Sequence, residues 1–368
     1  MIKRIGILTF HASHNYGSML QAYALQTYLL RKGYEVIIVN YRSISQKSLY
    51  RNPLTLFTRK NRKRFFASPV LFGEDVQKWF KFERFLDSYL HLSREHTKLV
   101  QTERQINDEL GLDAIIIGGD QIWNLNCIDA SISYYLPFET PGIRRISFAP
   151  SMGCLQIWKP DGYKAMLHAL LSGFDFLSVR EKQASGFISS LLGKTVPQVA
   201  DPTILLSLSD YRGLIGDSPL VKGKYVFYYS PHPDSRISQF ALSFAQSNHI
   251  GIVSSNITPE ERKGFIHKNA SGPLEFLNLL YHAEIVCGCS LHLAIFSILM
   301  HKPFFIVGES LDERMKSWLD LFGLCSHYVL CRDGLDHVQY EVTDWQIVDT
   351  VILEERQRAE QYLKTALG

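Results

Sequence analysis

The sequence predicts an α/β protein of two doubly wound, Rossmann-like domains with a cleft between them, and three observations lead there. Short apolar runs rich in β-branched residues alternate with segments of helical period through both halves of the chain. One stretch, "VADPTILLSLSDYRGLIGDSPLVKG" at 199–223, breaks the alternation and is rich in Pro, Gly, Ser and Asp, the composition of a domain boundary. The 368 residues are 46% hydrophobic, enough to fill two cores and too apolar for a disordered chain. The expected domains are 1–205, carrying a basic insertion at about 42–73, and 206–344, followed by a helix at 345–368 that packs back across both.

In the first half, "RIGILTF", a helix over 17–32 and "YEVIIVNY" form a β-α-β unit, with Gly33 ending the helix where a left-handed residue suits glycine. A helix over 74–89 places Trp79, Phe82, Leu86 and Tyr89 at helical spacing, and "DAIIIGG", "RISFAP" and "FDFLSVR" then read as buried parallel strands. The second half repeats the scheme with "KYVFYYS", a helix over 235–247, "IGIVSS", a helix over 274–282 and "EIVCGC". A helix over 290–300, "PFFIVG", a helix over 311–322 and an amphipathic helix from Trp345 complete it.

Charge and cysteine usage exclude several classes. A net charge of +3 among 75 charged side chains gives no global attraction to nucleic acid, and no nucleic-acid-binding motif accompanies it. Six cysteines, at 127, 154, 287, 289, 325 and 331, form no repeated Cys-x-x-Cys pair, which suits reduced thiols in the cytoplasm better than a disulfide framework or a zinc module. No apolar run suggests a signal peptide or a membrane span. Between Val36 and Gly73 there is no acidic residue, and "RKNRKR" at 59–64 carries five cations. That run reads either as a solvated loop or as a docking patch for an anionic membrane surface or acidic glycan, beside Tyr50, Phe57, Phe65 and Phe66.

Ligands of an open parallel sheet bind beyond the carboxyl ends of its strands, so the polar residues following each strand are the candidates. After the first strand come His11, His14, Asn15, Tyr16 and Gly17; after "DAIIIGG" come Asp120, Gln121, Trp123 and Asn124. Arg180 follows "FDFLSV" and can either grip a carboxylate or phosphate with two parallel bonds or pair with Glu181. In "CGCSLHLAIFSI", Ser290 is a candidate N-cap that sets His292 in the first helical turn, among N–H groups that attract anions. Arg314, with Glu309 and Lys316, flanks the next helix. There is no spaced carboxylate pair for glycoside hydrolysis, no Walker-type phosphate loop and no Gly-x-Ser-x-Gly elbow. The residues alone therefore describe an enzyme gripping a small anion between two domains.

The landmarks "GILTFHASHNYGSMLQAYALQ", "IIIGGDQIWN", "ISFAPSMG", "SVREKQ", "VADPTILL", "GPLEFLNLLYHAEIVCGCSLHLAIFSILMHKPFFIVG" and "ERMKSWLDLFGL" resemble, in order and spacing, the polysaccharide pyruvyl transferase family. The resemblance implies a GT-B-like pair of domains, the first on the acceptor side and the second on the donor side. It implies transfer of pyruvate from phosphoenolpyruvate to two hydroxyls of a cell-surface polysaccharide sugar, as a ketal, with no metal or other cofactor. The saccharide acceptor is lipid-linked or free in this reading. By the same resemblance Arg180 matches the donor-binding arginine, His292 the histidine of the x-Leu-His motif, and Arg314 a basic donor contact. Two positions depart from the family pattern: Ser290 stands where some branches carry arginine, and Ser18 where others carry an aspartate acid/base. The proton-transfer role is accordingly expected at His11 or His14. The runner-up readings are a sugar-nucleotide glycosyltransferase on the same fold and a non-catalytic glycan-binding relative.

Overall fold

The computed structural model describes residues 2–55, 59–155, 160–310, 312–342 and 344–368. The strands among the described residues are β1 (Arg4–Leu8), β2 (Glu35–Ile38), β3 (Ala114–Gly118), β4 (Arg144–Phe148), β5 (Tyr225–Tyr229), β6 (Gly251–Ser254), β7 (Ile266–His267), β8 (Ile285–Gly288), β9 (Phe304–Gly308) and β10 (Tyr328–Leu330). The α-helices among the described residues are α1 (Tyr16–Arg31), α2 (Ile44–Leu49), α3 (Arg59–Ala67), α4 (Pro69–Tyr89), α5 (Leu99–Arg104), α6 (Lys164–Leu171) and α7 (Lys182–Leu192). They continue with α8 (Leu208–Ile215), α9 (Ser235–Ser247), α10 (Pro273–Tyr281), α11 (Leu291–Leu299), α12 (Glu313–Leu321) and α13 (Trp345–Leu367). One compact unit gathers Met1–Arg51, Arg84–Leu205 and Ile352–Gly368, and the other Asn52–Glu83 and Leu206–Val351.

In the first unit the sheet order is β2-β1-β3-β4 and every pair is parallel, with Ile5 opposite both Val36 and Ala114. Strand β3, "AIIIG", is buried at every position, as a parallel strand covered on both faces must be. Helix α1 starts where Asn15 caps it, its side-chain oxygen accepting from the N–H groups of Gly17 at 2.9 Å and Ser18 at 3.3 Å. It ends at Gly33, whose φ of 87° suits glycine alone.

The expected strand "FDFLSVR" is reduced to single bridges, Ile146 to Phe176 and Val179 to Gln198. Serine side chains explain the loss. Ser147 Oγ donates to the Ser178 carbonyl at 2.8 Å and accepts from its N–H at 2.9 Å, while Ser178 Oγ donates to the Ser147 carbonyl at 2.9 Å. Hydroxyls thus take up backbone groups that a ladder would have paired.

In the second unit the order is β10-β9-β8-β5-β6-β7, again wholly parallel. Val226, Tyr228, Phe240, Phe244, Cys287, Phe305 and Val307 belong to the core under one face. Phe276 of α10, fully buried, sets its edge against the rings of Phe227 at 5.8 Å and Tyr229 at 5.2 Å. The short strands β7 and β10 have no apolar run long enough to announce them.

The basic insertion departs from expectation twice. The sequence places it in the first domain, whereas Asn52–Glu83 clusters with the second unit. The reason is ionic: Glu74 receives the forked guanidinium of Arg262, and Lys81 Nζ lies 2.7 Å from Glu275. It is also helical, in α3, and α4 begins five residues before the expected Glu74 because Pro69 fills the first helical position. Phe57 and Leu311, used in the sequence reading, lie outside the described residues.

Helix α13 contributes to both units. In the second, Trp345 stacks on His301 at 4.7 Å, and the His301 ring meets Asp349 at 2.7 Å. In the first, Arg356 Nε donates to the Ile204 carbonyl at 2.6 Å and Tyr362 to the Ser147 carbonyl at 2.8 Å. Arg144 holds the carbonyl of Ala366 in the last turn at 2.9 Å, where a cation complements the helix end.

Candidate active site

A ligand crevice is expected where strand order reverses, at the carboxyl ends of the strands. That point lies between β1 and β3 in the first unit and between β5 and β8 in the second. The sequence-derived candidates His11 to Gly17 and Asp120 to Asn124 follow β1 and β3, while Ser290 and His292 follow β8.

In the first unit the two loops are joined by residues the sequence reading passed over. The Ser18 hydroxyl donates to the Asp120 carboxylate, and Gln21 of α1 donates to the Thr9 hydroxyl and the Ser18 carbonyl, each at 2.8 Å. The diglycine is explained by closeness. A Cβ on Gly118 would lie 2.2 Å from the Phe148 carbonyl oxygen, and one on Gly119, at φ 81°, 1.8 Å from the Gln21 amide. Ser18 and Gln21 had a signal: hydrophilic positions on the first turns of a helix buried on nearly every side.

Several expected ligand contacts prove to be structural. Trp123 is fully buried, its indole N–H on the Tyr134 carbonyl at 3.0 Å and its ring stacked on Tyr135, so it belongs to the core. Tyr16 and Gly17 are likewise buried at the start of α1. His11 is fully buried, with Nδ1 3.1 Å from the Thr9 carbonyl and Nε2 2.9 Å from Asn40 Oδ1. With the ring fully buried and both nitrogens engaged inside the first unit, the geometry does not suit the proton-transfer role expected of His11. Asn15 is committed to its cap, and Asn124 donates to Gln121 at 2.8 Å. His14 remains half-buried, stacked on Tyr50 at 5.1 Å.

Arg180 is the largest correction. Its Nη1 meets Asp201 at 2.7 Å, its Nε meets Glu181 at 3.2 Å, and its Nη2 lies 3.9 Å from Asp120. Burial draws the guanidinium's pKa down, but Glu181, Asp201 and Asp120 together hold it above its ordinary value. One cation facing three carboxylates has no charge to spare for an anionic donor. The guanidinium therefore organises Asp120 and the polar floor of this crevice. Asp201 was hidden in the boundary stretch, where "ADPT" reads only as a turn; its carboxylate also accepts from the Thr203 N–H and hydroxyl.

In the second unit, Ser230 at the end of β5 ties three strands. Its hydroxyl reaches the His232 carbonyl and lies 3.0 Å from Cys289 Sγ, and its carbonyl accepts from Asn256, after β6, at 2.8 Å. Gly288 closes β8 at φ 155°, where a Cβ would fall 1.9 Å from the Tyr229 carbonyl oxygen. Immediately after it, Ser290 takes the N-cap position of the nine-residue α11 with extended backbone, and its side chain forms no cap hydrogen bond. Ser290 therefore supplies no side-chain acceptor to the first-turn N–H groups of α11, which makes them candidate donors to an anion. His292 is the second residue of that turn and nearly buried. Burial pushes the Cys289 and Cys287 thiols up, so neither is a thiolate nucleophile at neutral pH. Arg314 grips Asp312, the cap of α12, with Nε at 3.2 Å and Nη2 at 2.8 Å. Burial alone would raise Asp312, yet these bonds hold it below the usual carboxylate range, so Arg314 serves the cap. Among the described residues no group of three His, Cys, Asp or Glu side chains could hold a metal ion.

A family model for polysaccharide pyruvyl transferase matches residues 15–310. The chain belongs to the polysaccharide pyruvyl transferase family. No curated protein matches this family member. Among solved structures, it is similar to a UDP-N-acetylglucosamine 2-epimerase from Rickettsia bellii at 10% identity and TM-score 0.54, covering 100% of this chain and 97% of that one. A putative UDP-N-acetylglucosamine 2-epimerase from Listeria monocytogenes aligns at 12% identity and TM-score 0.53, covering 100% and 91%. The UDP-GlcNAc 2-epimerase of Methanocaldococcus jannaschii, in complex with UDP-GlcNAc and UDP, aligns at 12% identity and TM-score 0.51, covering 99% and 100%. At these identities the likeness is one of fold: this pyruvyl transferase family chain has a GT-B-like pair of Rossmann-like units.

Proposed function

We propose that the protein transfers the pyruvate unit of phosphoenolpyruvate to two hydroxyls of a saccharide, forming a cyclic ketal in the assembly of a cell-surface polysaccharide. The observation that carries this reading is His292 in the first turn of α11, at the strand-order reversal of a chain of this family. Phosphoenolpyruvate carries a phosphate and a carboxylate, and a helix N-terminus supplies N–H donors to either. We assign the donor to the second unit and the acceptor to the first. The work is placed in the cytoplasm, with a lipid-linked saccharide as acceptor.

In the reaction the donor's methylene carbon takes a proton, one acceptor oxygen bonds to C2, and the second displaces phosphate from C2. The two hydroxyl protons end on the methyl group and on inorganic phosphate, so no further reactant enters. His292 is assigned to the donor, giving a proton to the methylene carbon or the departing phosphate. His14, half-buried beside Tyr50, is assigned to the acceptor hydroxyl, and Asp120, oriented by Ser18 and Arg180, to a hydrogen bond from a neighbouring hydroxyl.

The test is a thermal-shift series with phosphoenolpyruvate against UDP-sugars, followed by phosphate release in the presence of candidate acceptors. Stabilisation by phosphoenolpyruvate that His292→Ala abolishes supports the reading. Stabilisation by a UDP-sugar alone replaces it with sugar-nucleotide chemistry, and no phosphate release with any acceptor, together with unchanged glycan binding in His292→Ala, replaces it with a binding role.

A further inference from the structure

Helix α3 has two faces of opposite character. On one side Asn61 donates to the carbonyls of Pro53 and Thr55, each at 3.1 Å, and Phe65, one turn on and 37% exposed, meets the ring of buried Phe72 of α4 at 5.3 Å and that of Phe66 at 5.2 Å. These contacts fix the helix and leave Arg59, Arg62, Lys63 and Phe66, at i, i+3, i+4 and i+7, along the outer face, all exposed. Phe66 is 78% exposed, and Val70, just past the turn into α4, 72%. From Asn52 to Gly73, the stretch that clusters with the second unit, the sequence offers five cations, all between Arg59 and Arg64, and no acidic residue.

From this geometry we infer that the outer face of α3 docks on an anionic lipid bilayer, with the three cations over the headgroups and Phe66 and Val70 entering the acyl boundary. Charge complementarity selects an anionic partner, and the apolar pair selects a bilayer over an acidic glycan. Exposed Phe and Val gain nothing from a hydrated polysaccharide, whereas an interfacial helix is held by both forces at once. Attachment is peripheral, because no helix among the described residues is long and apolar enough to cross a membrane. The inference is independent of the chemistry proposed above, and its test needs no turnover.

The full-length protein is floated with vesicles of phosphatidylcholine alone and of phosphatidylcholine with phosphatidylglycerol in equal parts, at low and high salt. Parallel samples contain polygalacturonate as a competitor. The expected result is flotation with the anionic vesicles only, weakened by salt and retained against an equal weight of competitor. Arg59→Glu/Arg62→Glu/Lys63→Glu should lower partitioning on the order of a hundredfold, at several-fold per cation. Phe66→Ser/Val70→Ser should lower it about tenfold. All five side chains are exposed, so thermal unfolding of each variant should match the parent. Equal binding to both vesicles, binding to neither, displacement by the polysaccharide, or an unaltered partition in either variant overturns the inference.

Discussion

Replacing Arg180 by methionine separates a structural cation from a ligand-gripping one. The substitution keeps much of the side chain's volume and removes the guanidinium from Asp201, which is 0% exposed, and from Glu181, which is nearly buried. Breaking a buried pair from one side costs about 3–5 kcal/mol, since the remaining charge stays buried without its counterion. Asp201 keeps its bonds from the Thr203 N–H at 3.1 Å and hydroxyl at 2.8 Å, which points to the lower end, about 3 kcal/mol. For a unit of this size that is a fall in melting temperature of roughly 6–12 °C. Calorimetry on Arg180→Met, Asp201→Asn and the double variant measures it. Because Asp201→Asn neutralises the stranded carboxylate, the double variant should be less destabilised than the sum of the singles by about 2 kcal/mol. If Arg180→Met melts within about 2 °C of the parent while losing its response to phosphoenolpyruvate, the guanidinium is directed at the donor and the carboxylate-clamp argument is wrong.

Other expectations are independent of this one. His292→Ala should lower phosphate release by about a hundredfold or more, read by a coupled phosphate assay. Gly288→Ala should cost about 3 kcal/mol or more in thermal unfolding, because a φ of 155° is strained for alanine and its Cβ would meet the Tyr229 carbonyl. His11→Ala should destabilise by about 1–3 kcal/mol, because it empties a fully buried position and leaves Asn40 Oδ1 only the longer bond from Arg42 Nε at 3.3 Å. His14→Ala should abolish turnover, and loss of its stacking on Tyr50 should cost about 1 kcal/mol in thermal unfolding. Burial holds His96 and His327 below the ordinary histidine pKa, so the unfolded chain binds more protons than the folded one as pH falls through about 6.5. Their contribution to stability is complete above that value and is lost below it; His96→Gln should flatten the fall of melting temperature with acid.

The two sheets were legible because parallel strands covered on both faces are continuous apolar runs: "AIIIG" and "FFIVG" admit little else. Leu205 ends a stretch of one compact unit and Leu206 begins a stretch of the other. "FDFLSVR" misled because periodicity does not reveal that Ser147 and Ser178 exchange hydroxyl bonds across the gap. At the site, the loop positions of Asp120, Ser290 and His292 followed from the strand ends. The fate of Arg180 did not, because whether a cation is spent on neighbours depends on Asp201, 21 positions away, and no local pattern encodes that distance. Trp123 and His11 failed for a related reason: a polar-capable side chain after a strand looks the same in sequence whether its nitrogen meets a ligand or a carbonyl of the core.

At Ser147 every main-chain valence is taken. Its N–H is bound to the Phe176 carbonyl, and its own carbonyl receives both the Ser178 hydroxyl and the phenol of Tyr362. An intruding polypeptide seeking to extend the sheet past β4 finds neither a donor nor an acceptor there, so two hydroxyl side chains and a phenol do the sealing usually left to a further strand or a lysine. Ser178→Ala would remove one of these contacts, but the Phe176 carbonyl on the N–H and the Tyr362 phenol on the carbonyl would remain.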